Sequence, residues 1–405
     1  MSVLFVCQRV PYPPNKGEKL RTFHQLKFLV EQGVDITVLS PAETDDDMRD
    51  ADQLAQRLNI PVHAIKVSAS PLTLIAGLFK GEALSVAKFY HNKIQAFFDA
   101  LIETQKYRNV VFTASSLTPY WWKKKGNLTH NIRLFCDFMD VDSNKWHQYA
   151  ENASFPMRLV YRREARLIEH IEVKSCRKFE RCFLIADKEV ELMATFLPED
   201  AKVPLAIGNG IDTEEFFPIS TKHHVSSELT GTKSFLFVGV MDYKPNVDAV
   251  LWFVNNVWPM IIKKTPSARF KVVGMSPNAK IMALSSIQGV EVTGKVDDVT
   301  EFFQQADIFV APFTIARGVQ NKILQAMACG LPVITTTKGA EGINCSDKED
   351  ILIADDADSF MQQIDYLAID SHTQSIANAS RRRIINEYSW EGNLLPLKQA
   401  IVDEK

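Results

Sequence analysis

Short apolar runs of strand length alternate with amphipathic stretches along almost all of the 405 residues. This alternation restricts the fold more than any composition value does. In the first half the strand-like runs are Val3–Cys7, Asp35–Leu39, Val62–Val67, Val110–Thr113, Ile132–Asp137, Cys182–Ala186 and Val203–Ile207. Between the first two, Leu20–Gln32 carries Leu20, Phe23, Leu26, Phe28, Leu29 and Val30 over one broad side, and Gly33 ends it. Apolar strands separated by helices predict parallel sheets covered on both faces.

The second half repeats the pattern. Strands are expected at Phe235–Val240, Arg269–Val273, Val290–Thr293, Ile308–Ala311, Val333–Thr336 and Ile351–Ile353, and a single helix over Asn246–Lys263. Two doubly wound α/β domains fit this better than one enlarged sheet. The polar, weakly patterned stretch Ile219–Lys233 follows NGIDTEEFFP, which places the boundary near Ala206–Asn209. The expected division is 1–207 for the first domain and 208–385 for the second. Residues 386–405 are expected as a C-terminal helix crossing back to the first domain, kinked around Ser389–Gly392. Ligands of open parallel sheets bind outside the carboxyl ends of the strands, where strand order reverses. Two such sheets would face each other across a cleft.

Composition narrows the function classes. A hydrophobic fraction of 46% and a charged fraction of 23% are ordinary for a soluble enzyme, and a formal net charge of −3 gives no general argument for nucleic acid. The six cysteines show no paired two-residue spacing, which points to buried reduced thiols rather than disulfides or a zinc site. The opening MSVLFVCQRVPYPP lacks the basic leading region of a signal peptide, and no run approaches the ~18 apolar residues of a membrane span. The expected location is cytoplasmic. Two segments suggest side-on contact with an anionic membrane. Thr118–Asn127 sets Tyr120, Trp121 and Trp122 beside three lysines, and Arg158–Arg181 holds eight Arg/Lys against four Glu. A helix end and a solvated helix face are the simpler reading of the two segments.

Four stretches carry candidate chemistry. After the strand Asp307–Phe313 come Gly318 and a helix opening with Asn321 and Lys322, stopped by Gly330 and Pro332. A loop with glycine before a helix start makes an anion site, because backbone N–H groups and the helix dipole point at the ligand. Lys322 would meet a phosphate. Gln325, three residues on, would share hydrogen bonds with a ribose or sugar hydroxyl. Arg317 sits at the loop. In Val238–Val250, Gly239 ends the first strand of the second domain and Lys244 precedes Pro245, placed to meet a diphosphate or simply solvent. The loop Gln8–Arg21 holds Gly17, which would let a ligand approach the backbone, with Lys16, Lys19 and Arg21 as cations nearby. Its single glycine disfavours a nicotinamide cofactor. In Cys136–Ala150, Asp137, Asp140 and Asp142 follow a strand. Asp140 is the candidate acceptor or sugar contact, with turn and capping roles open for the others.

In their order and spacing these motifs resemble a known family. NGID…FFP, FVGVMDYKPN and NKILQAMACGLPVITT look like a GT-B glycosyltransferase of family 4. DFMDVDSNKW, YRREAR, GKVDDV and ARGVQNKILQAMA resemble in particular the sugar transferases associated with PEP-CTERM/exosortase exopolysaccharide systems. The resemblance implies two Rossmann-like domains, a nucleotide-sugar donor held mainly by the second, an acceptor at the first, transfer with retention of configuration, and no divalent metal or other cofactor. It implies Gly17, Lys322 and, more loosely, Lys244 at the donor diphosphate, and Gln325 at the ribose. Joined to the motif reading above, the expected donor set is Gly17, Gly239, Lys244, Gly318, Asn321, Lys322 and Gln325, the acceptor side is Lys16, Arg21 and Asp140, and Lys322, Arg317 and Asp140 stand closest to the chemistry. The leaving phosphate itself would take the acceptor proton. Two positions depart from the family. Arg317 and Gln325 stand where it has two glutamates, and Val240 stands where it has an arginine.

The expected function is therefore a metal-independent, retaining hexosyltransferase. It would act on a glycan or lipid-linked acceptor in cell-surface or exopolysaccharide biosynthesis. A non-catalytic nucleotide- or glycan-binding member of an assembly complex and a nucleotide-sugar epimerase are the alternatives.

Overall fold

The computed structural model describes all residues except 1, 16, 69–76, 79, 105, 126–130, 220–232, 316–318 and 403–405. The chain divides into two compact units, Met1–Asn209 with Asn393–Lys405, and Gly210–Gly392.

The first unit holds a seven-stranded parallel sheet of order β3-β2-β1-β4-β5-β6-β7. Its strands are β1 (Ser2–Val6), β2 (Asp35–Ala42), β3 (Val62–Lys66), β4 (Asn109–Phe112), β5 (Arg133–Met139), β6 (Arg181–Leu184) and β7 (Leu205–Ala206). The central strand β1 runs in register with both neighbours, Val3 beside Ile36 of β2 and Asn109 of β4. Its Val3, Leu4 and Phe5 have no exposed surface, which explains the unbroken apolar run. The C-terminal segment packs on the same unit. The Ile401 carbonyl accepts from Asn109 Nδ2 at 3.3 Å and from the Arg133 guanidinium, and Lys398 Nζ donates to Gln32 Oε1 at 2.7 Å.

The second unit holds a six-stranded parallel sheet of order β10-β9-β8-β11-β12-β13. The strands are β8 (Ser234–Val238), β9 (Arg269–Val273), β10 (Val290–Gly294), β11 (Ile308–Ala311), β12 (Val333–Thr335) and β13 (Leu352–Ile353). One expectation needs correction. The helix expected over Asn246–Lys263 is two, Lys244–Asn256 and Trp258–Lys264, joined at Val257. Pro259 has no N–H for the preceding turn, and its ring would clash with that turn's carbonyl, so the helix restarts there. The helix Asn321–Ala328 ends as expected. Gly330 takes a φ of 63°, its N–H reaches the Met327 carbonyl, and the Leu331 N–H reaches that of Ala326. Near the C-terminus the helical run breaks at Ser389, whose hydroxyl accepts from the Gly392 N–H at 3.1 Å before the helix Trp390–Val402 continues.

All six cysteines are free thiols, and five of them are buried. Each sheet reverses its strand order once, between β1 and β4 in the first unit and between β8 and β11 in the second. Those two reversals mark where ligands of such sheets bind.

Candidate functional site

In the second unit the chain leaves β8 at Gly239, beside the reversal. The Gly239 N–H donates to the Val273 carbonyl at 2.9 Å, and the Met241 N–H to the Met275 carbonyl at 2.8 Å, so the two loops run side by side. Gly274, at a φ of 149°, permits this approach. A Cβ there would lie 1.7 Å from the Gly239 carbonyl oxygen. At Gly239 a Cβ would lie 2.7 Å from Asn246 Nδ2 and 3.1 Å from Lys322 Nζ. Glycine at these positions is a requirement of space, and it keeps two side-chain heads against bare backbone.

Those two heads form the centre of the site. Lys322, in the first turn of the helix Asn321–Ala328, places Nζ 2.6 Å from Asn246 Oδ1. Asn246 is fixed in turn by donating from Nδ2 to the Val240 carbonyl at 2.9 Å. Its orientation is therefore set, with the oxygen toward the ammonium. Phe237 of β8 and Phe313 after β11 lie 5.4 and 5.1 Å from Nζ and offer ring faces to the cation. Among the described residues no carboxylate pairs with Lys322. Burial pushes its ammonium down to about 8, since the charged form is the one that loses hydration. The result is a cation held at the strand-order reversal by neutral partners, which leaves its charge to be balanced by an anion.

The other expected donor residues are placed as follows. Gln325 is half-buried, one turn beyond Lys322, and Asn321 is exposed. Lys244 is solvent-exposed and pairs with Asp248 on its own helix. The contact from that helix to Lys322 comes from Asn246, two residues on. Arg317 and Gly318 lie outside the described residues. Sequence reading missed Asn246, Phe237 and Phe313. Only the position of Asn246, in the first turn of a helix after a strand-end glycine, could have signalled it.

In the first unit the loops after β1 and β4 meet. The Gln8 N–H donates to Thr113 Oγ1 at 3.2 Å and Gln8 Nε2 to Ser116 Oγ at 3.1 Å. Gly17 opens the helix Gly17–Glu31, and a Cβ there would face open space. Lys16 lies outside the described residues. Arg21, expected as an acceptor-side contact, is corrected to a scaffold residue. It has 0% exposure, and its guanidinium is occupied by Asp137 Oδ2 and Oδ1 at 2.6 and 3.0 Å, the Ile207 carbonyl at 2.7 Å and Asn209 Oδ1 at 3.1 Å. Gln25 Nε2 adds a 2.5 Å bond to Asp137.

The carboxyl end of β5 is bent. Its pairing with β6 shifts between Asp137 and Met139, and Met139 takes a left-handed φ of 66°, costly for a residue with a Cβ. Asp140, next in the chain, accepts from Lys145 Nζ at 2.6 Å. The same ammonium lies 3.5 Å from Asp142 Oδ1, and Asp142 Oδ2 accepts from Ser115 Oγ at 3.2 Å. Burial raises the Asp142 carboxyl above its usual range, opposed by Lys145. Asp137 is paired with Arg21, and Asp140 and Asp142 share Lys145.

Two Rossmann-like parallel-sheet units with this topology are the GT-B glycosyltransferase architecture. An Anabaena protein, Alr3699/HepE, in complex with UDP-glucose has the same fold. It shares 13% identity at a TM-score of 0.58, with 98% of each chain covered. Residues 232–370, wholly inside the second unit, match the glycosyl transferases group 1 family. Among relatives, an uncharacterized 44.6 kDa protein in the cps region of Klebsiella pneumoniae is 28% identical over 137 residues, 32% of this chain and 35% of the relative. The Escherichia coli UDP-Gal:alpha-D-GlcNAc-diphosphoundecaprenol alpha-1,3-galactosyltransferase is 21% identical over 245 residues, 58% of this chain and 62% of the relative. The chain thus matches about a third and about three-fifths of these two relatives' lengths.

Proposed function

We propose that this chain is a retaining glycosyltransferase that moves a hexose-type sugar from a nucleotide-sugar donor to a glycan or lipid-linked acceptor, in building a cell-surface polysaccharide. One observation carries the reading. Lys322 is held beside Asn246, at the reversal between β8 and β11, with no carboxylate partner among the described residues. A diphosphate is the dianion that such a position fits. The group 1 match over the same unit supports glycosyl transfer. The relatives, one acting on a lipid-linked acceptor and one in a cps region, support the acceptor class and the pathway.

In this reading the second unit binds the donor and the first unit the acceptor. The Lys322 ammonium meets the diphosphate and counters the negative charge that grows on it as the glycosidic bond breaks. Gly239 leaves the room in which Asn246 and Lys322 are held for the diphosphate, and Gln325 takes a ribose hydroxyl. The leaving phosphate accepts the acceptor's proton, so no side chain is assigned as base and no metal is required. Asp140, oriented by Lys145, offers an acceptor oxygen for a sugar hydroxyl in the first unit.

The test is a thermal-shift screen against UDP-, GDP-, ADP- and TDP-sugars, followed by transfer assays with the donor that stabilises. Stabilisation by one nucleotide class, abolished in Lys322→Ala, and transfer to a lipid-linked glycan are expected. Binding without transfer or hydrolysis across the panel would replace this reading with a non-catalytic donor-binding protein. Full donor binding by Lys322→Ala would remove the role of the lysine.

A further inference from the structure

We propose that the helical hairpin formed by Asp142–Asn152 and Met157–Lys178 in the first unit is a docking surface for an anionic lipid bilayer. Its tip is apolar and exposed. Phe155, in the connection, is 80% exposed, the most of any large apolar side chain among the described residues. Leu159 follows at 56% and Met157 at 44%, and Tyr149 of the facing helix is 55% exposed. Folding gains nothing from leaving four such side chains together in water.

Behind the tip lies an aromatic cluster. Trp146 is 5.6 Å from Tyr149 and 5.5 Å from Tyr161, and the two tyrosines are 6.1 Å apart, centre to centre. Rings with an apolar body and a polar edge suit the boundary between acyl chains and headgroups.

Charge selects the occupant. Arg158, Arg162 and Arg166 recur every fourth residue, so they line one side of the helix, with Leu159 adjoining. All three are exposed, and none has an ion-pair partner among the described residues. The acidic residues around them are mostly engaged. Glu164 is buried and takes the Leu84 and Ser85 N–H groups, Glu172 is buried against Ser143, and Glu169 faces His147 at 3.8 Å. Asp142 is turned toward Ser115 and Lys145, and Glu151 alone is exposed near the tip. An apolar point flanked by unpaired arginines matches acyl chains beneath anionic headgroups. A two-fold dimer through this face would set the arginine row against its own copy, which like charge disfavours. No described helix is long and apolar enough to cross a membrane, so the contact is peripheral.

The other segment singled out by sequence does not share this role. Tyr120 is buried, and Trp121 and Trp122 pack against the core of the first unit, with Lys174 Nζ 4.2 Å over the Trp122 ring.

The experiment is co-sedimentation of the full chain with phosphatidylcholine vesicles, with and without an equal part of phosphatidylglycerol, and no nucleotide sugar present. Binding to the anionic vesicles and not to the neutral ones is expected. The triple variant Arg158→Gln, Arg162→Gln, Arg166→Gln should bind about a hundredfold more weakly, at roughly fivefold per charge. The double variant Phe155→Ser, Leu159→Ser should lose about tenfold or more. Both sets of positions are exposed, and an unchanged circular-dichroism melt would show that the fold is kept. Equal binding to neutral vesicles, no binding, or variants that bind like the parent would overturn the proposal. So would a lipid-free dimer that Phe155→Ser, Leu159→Ser disperses. Because the measurement involves neither donor nor transfer, failure of the glycosyltransferase reading would leave its outcome intact.

Discussion

Lys322 Nζ sits 2.6 Å from Asn246 Oδ1, an amide oxygen and not a carboxylate. A structural lysine drawn out of water is normally paired, because its charge loses hydration energy. Here the amide contributes a dipole, Phe237 and Phe313 contribute ring faces, and none of the three neutralises the charge. The arrangement costs stability in the free protein and is repaid when an anion arrives. Lys322→Met should therefore melt at or above the parent temperature while binding the donor about a hundredfold more weakly, the range for losing a charge-assisted contact of ~1.5–3 kcal/mol. Calorimetric titration with the donor found by screening, alongside a melt, checks both halves. A variant that is destabilised and still binds would mark the lysine as scaffold.

The same lysine sets a pH dependence. Burial holds its ammonium at about 8, below the ordinary 10.5. A depressed lysine charges less readily in the fold than in the unfolded chain, so its cost to stability grows as pH falls from 10.5 toward 8 and is constant below. A bound diphosphate favours the charged form and raises the group again. Donor affinity should be flat below about pH 8 and should weaken above it, by up to about tenfold for each pH step. Above pH 8 binding should take up close to one proton, measurable by titration in buffers of different ionisation enthalpy. Lys322→Met should show neither effect. A parent protein without proton uptake would argue against Lys322 as the diphosphate contact.

Two glycines hold the loops around this lysine, and they should fail differently. At Gly239 a methyl would press on Asn246 Nδ2 and Lys322 Nζ, both side-chain ends. Gly239→Ala should fold with a small loss of stability, about 1 kcal/mol, and lose donor affinity as the pair is displaced. At Gly274 a methyl would meet the Gly239 carbonyl, which is backbone and cannot swing aside, at a φ that side chains avoid. Gly274→Ala should lower the melting temperature markedly. If the two variants lose stability equally, the loop pairing is not what fixes the site.

The contrast between these residues explains what the sequence could disclose. The thirteen described strands lie where the apolar runs place them, and the signal is plainest in the central ones, because a buried parallel strand leaves a continuous apolar run. Lys322 was legible for a similar reason: a strand, a loop and a helix start are local. Asn246 was not, since its role depends on Lys322, on a helix 76 residues further along the chain. Phe237 and Phe313 read simply as strand core. Arg21 misled, because a cation after a glycine loop looks like a ligand contact when its partner, Asp137, lies 116 residues on. Burial and pairing at that separation are decided by topology.

Arg21 supports a prediction of its own. Its guanidinium joins the helix Gly17–Glu31 to β5 through Asp137 and to the chain beyond β7 through the Ile207 carbonyl. Either substitution alone strands the opposite charge in a buried position, so Arg21→Met and Asp137→Leu should each cost about 3–5 kcal/mol. The double variant should cost clearly less than the sum, since each half removes the charge that the other leaves unpaired. Denaturant unfolding of the four proteins closes the cycle. Additive losses would mean that the pair is not a coupled unit.

Glu172 gives the first unit a separate pH response. It is buried, and its carboxyl accepts from the Ser143 N–H at 3.2 Å and the Ser143 hydroxyl at 2.5 Å, at the start of the helix Asp142–Asn152. Burial, opposed by those bonds and reinforced by neighbouring Asp142, pushes it from 4.5 up to about 8. A raised carboxyl favours the protonated form in the fold. Its stabilising contribution is full below pH 4.5, is lost as pH climbs to about 8, and changes no further beyond. The parent should therefore lose up to about 5 kcal/mol over that window from this group, at about 1.4 kcal/mol for each pH step. Glu172→Gln keeps the shape and one acceptor and cannot ionise. It should match the parent near pH 5, exceed it near pH 8.5, and unfold with a flatter pH profile. Ser143→Ala removes the hydroxyl donor and should destabilise the parent more at the high end, where the carboxylate needs it. Parallel profiles for the parent and Glu172→Gln would place the titration elsewhere and leave Glu172 as an ionised cap.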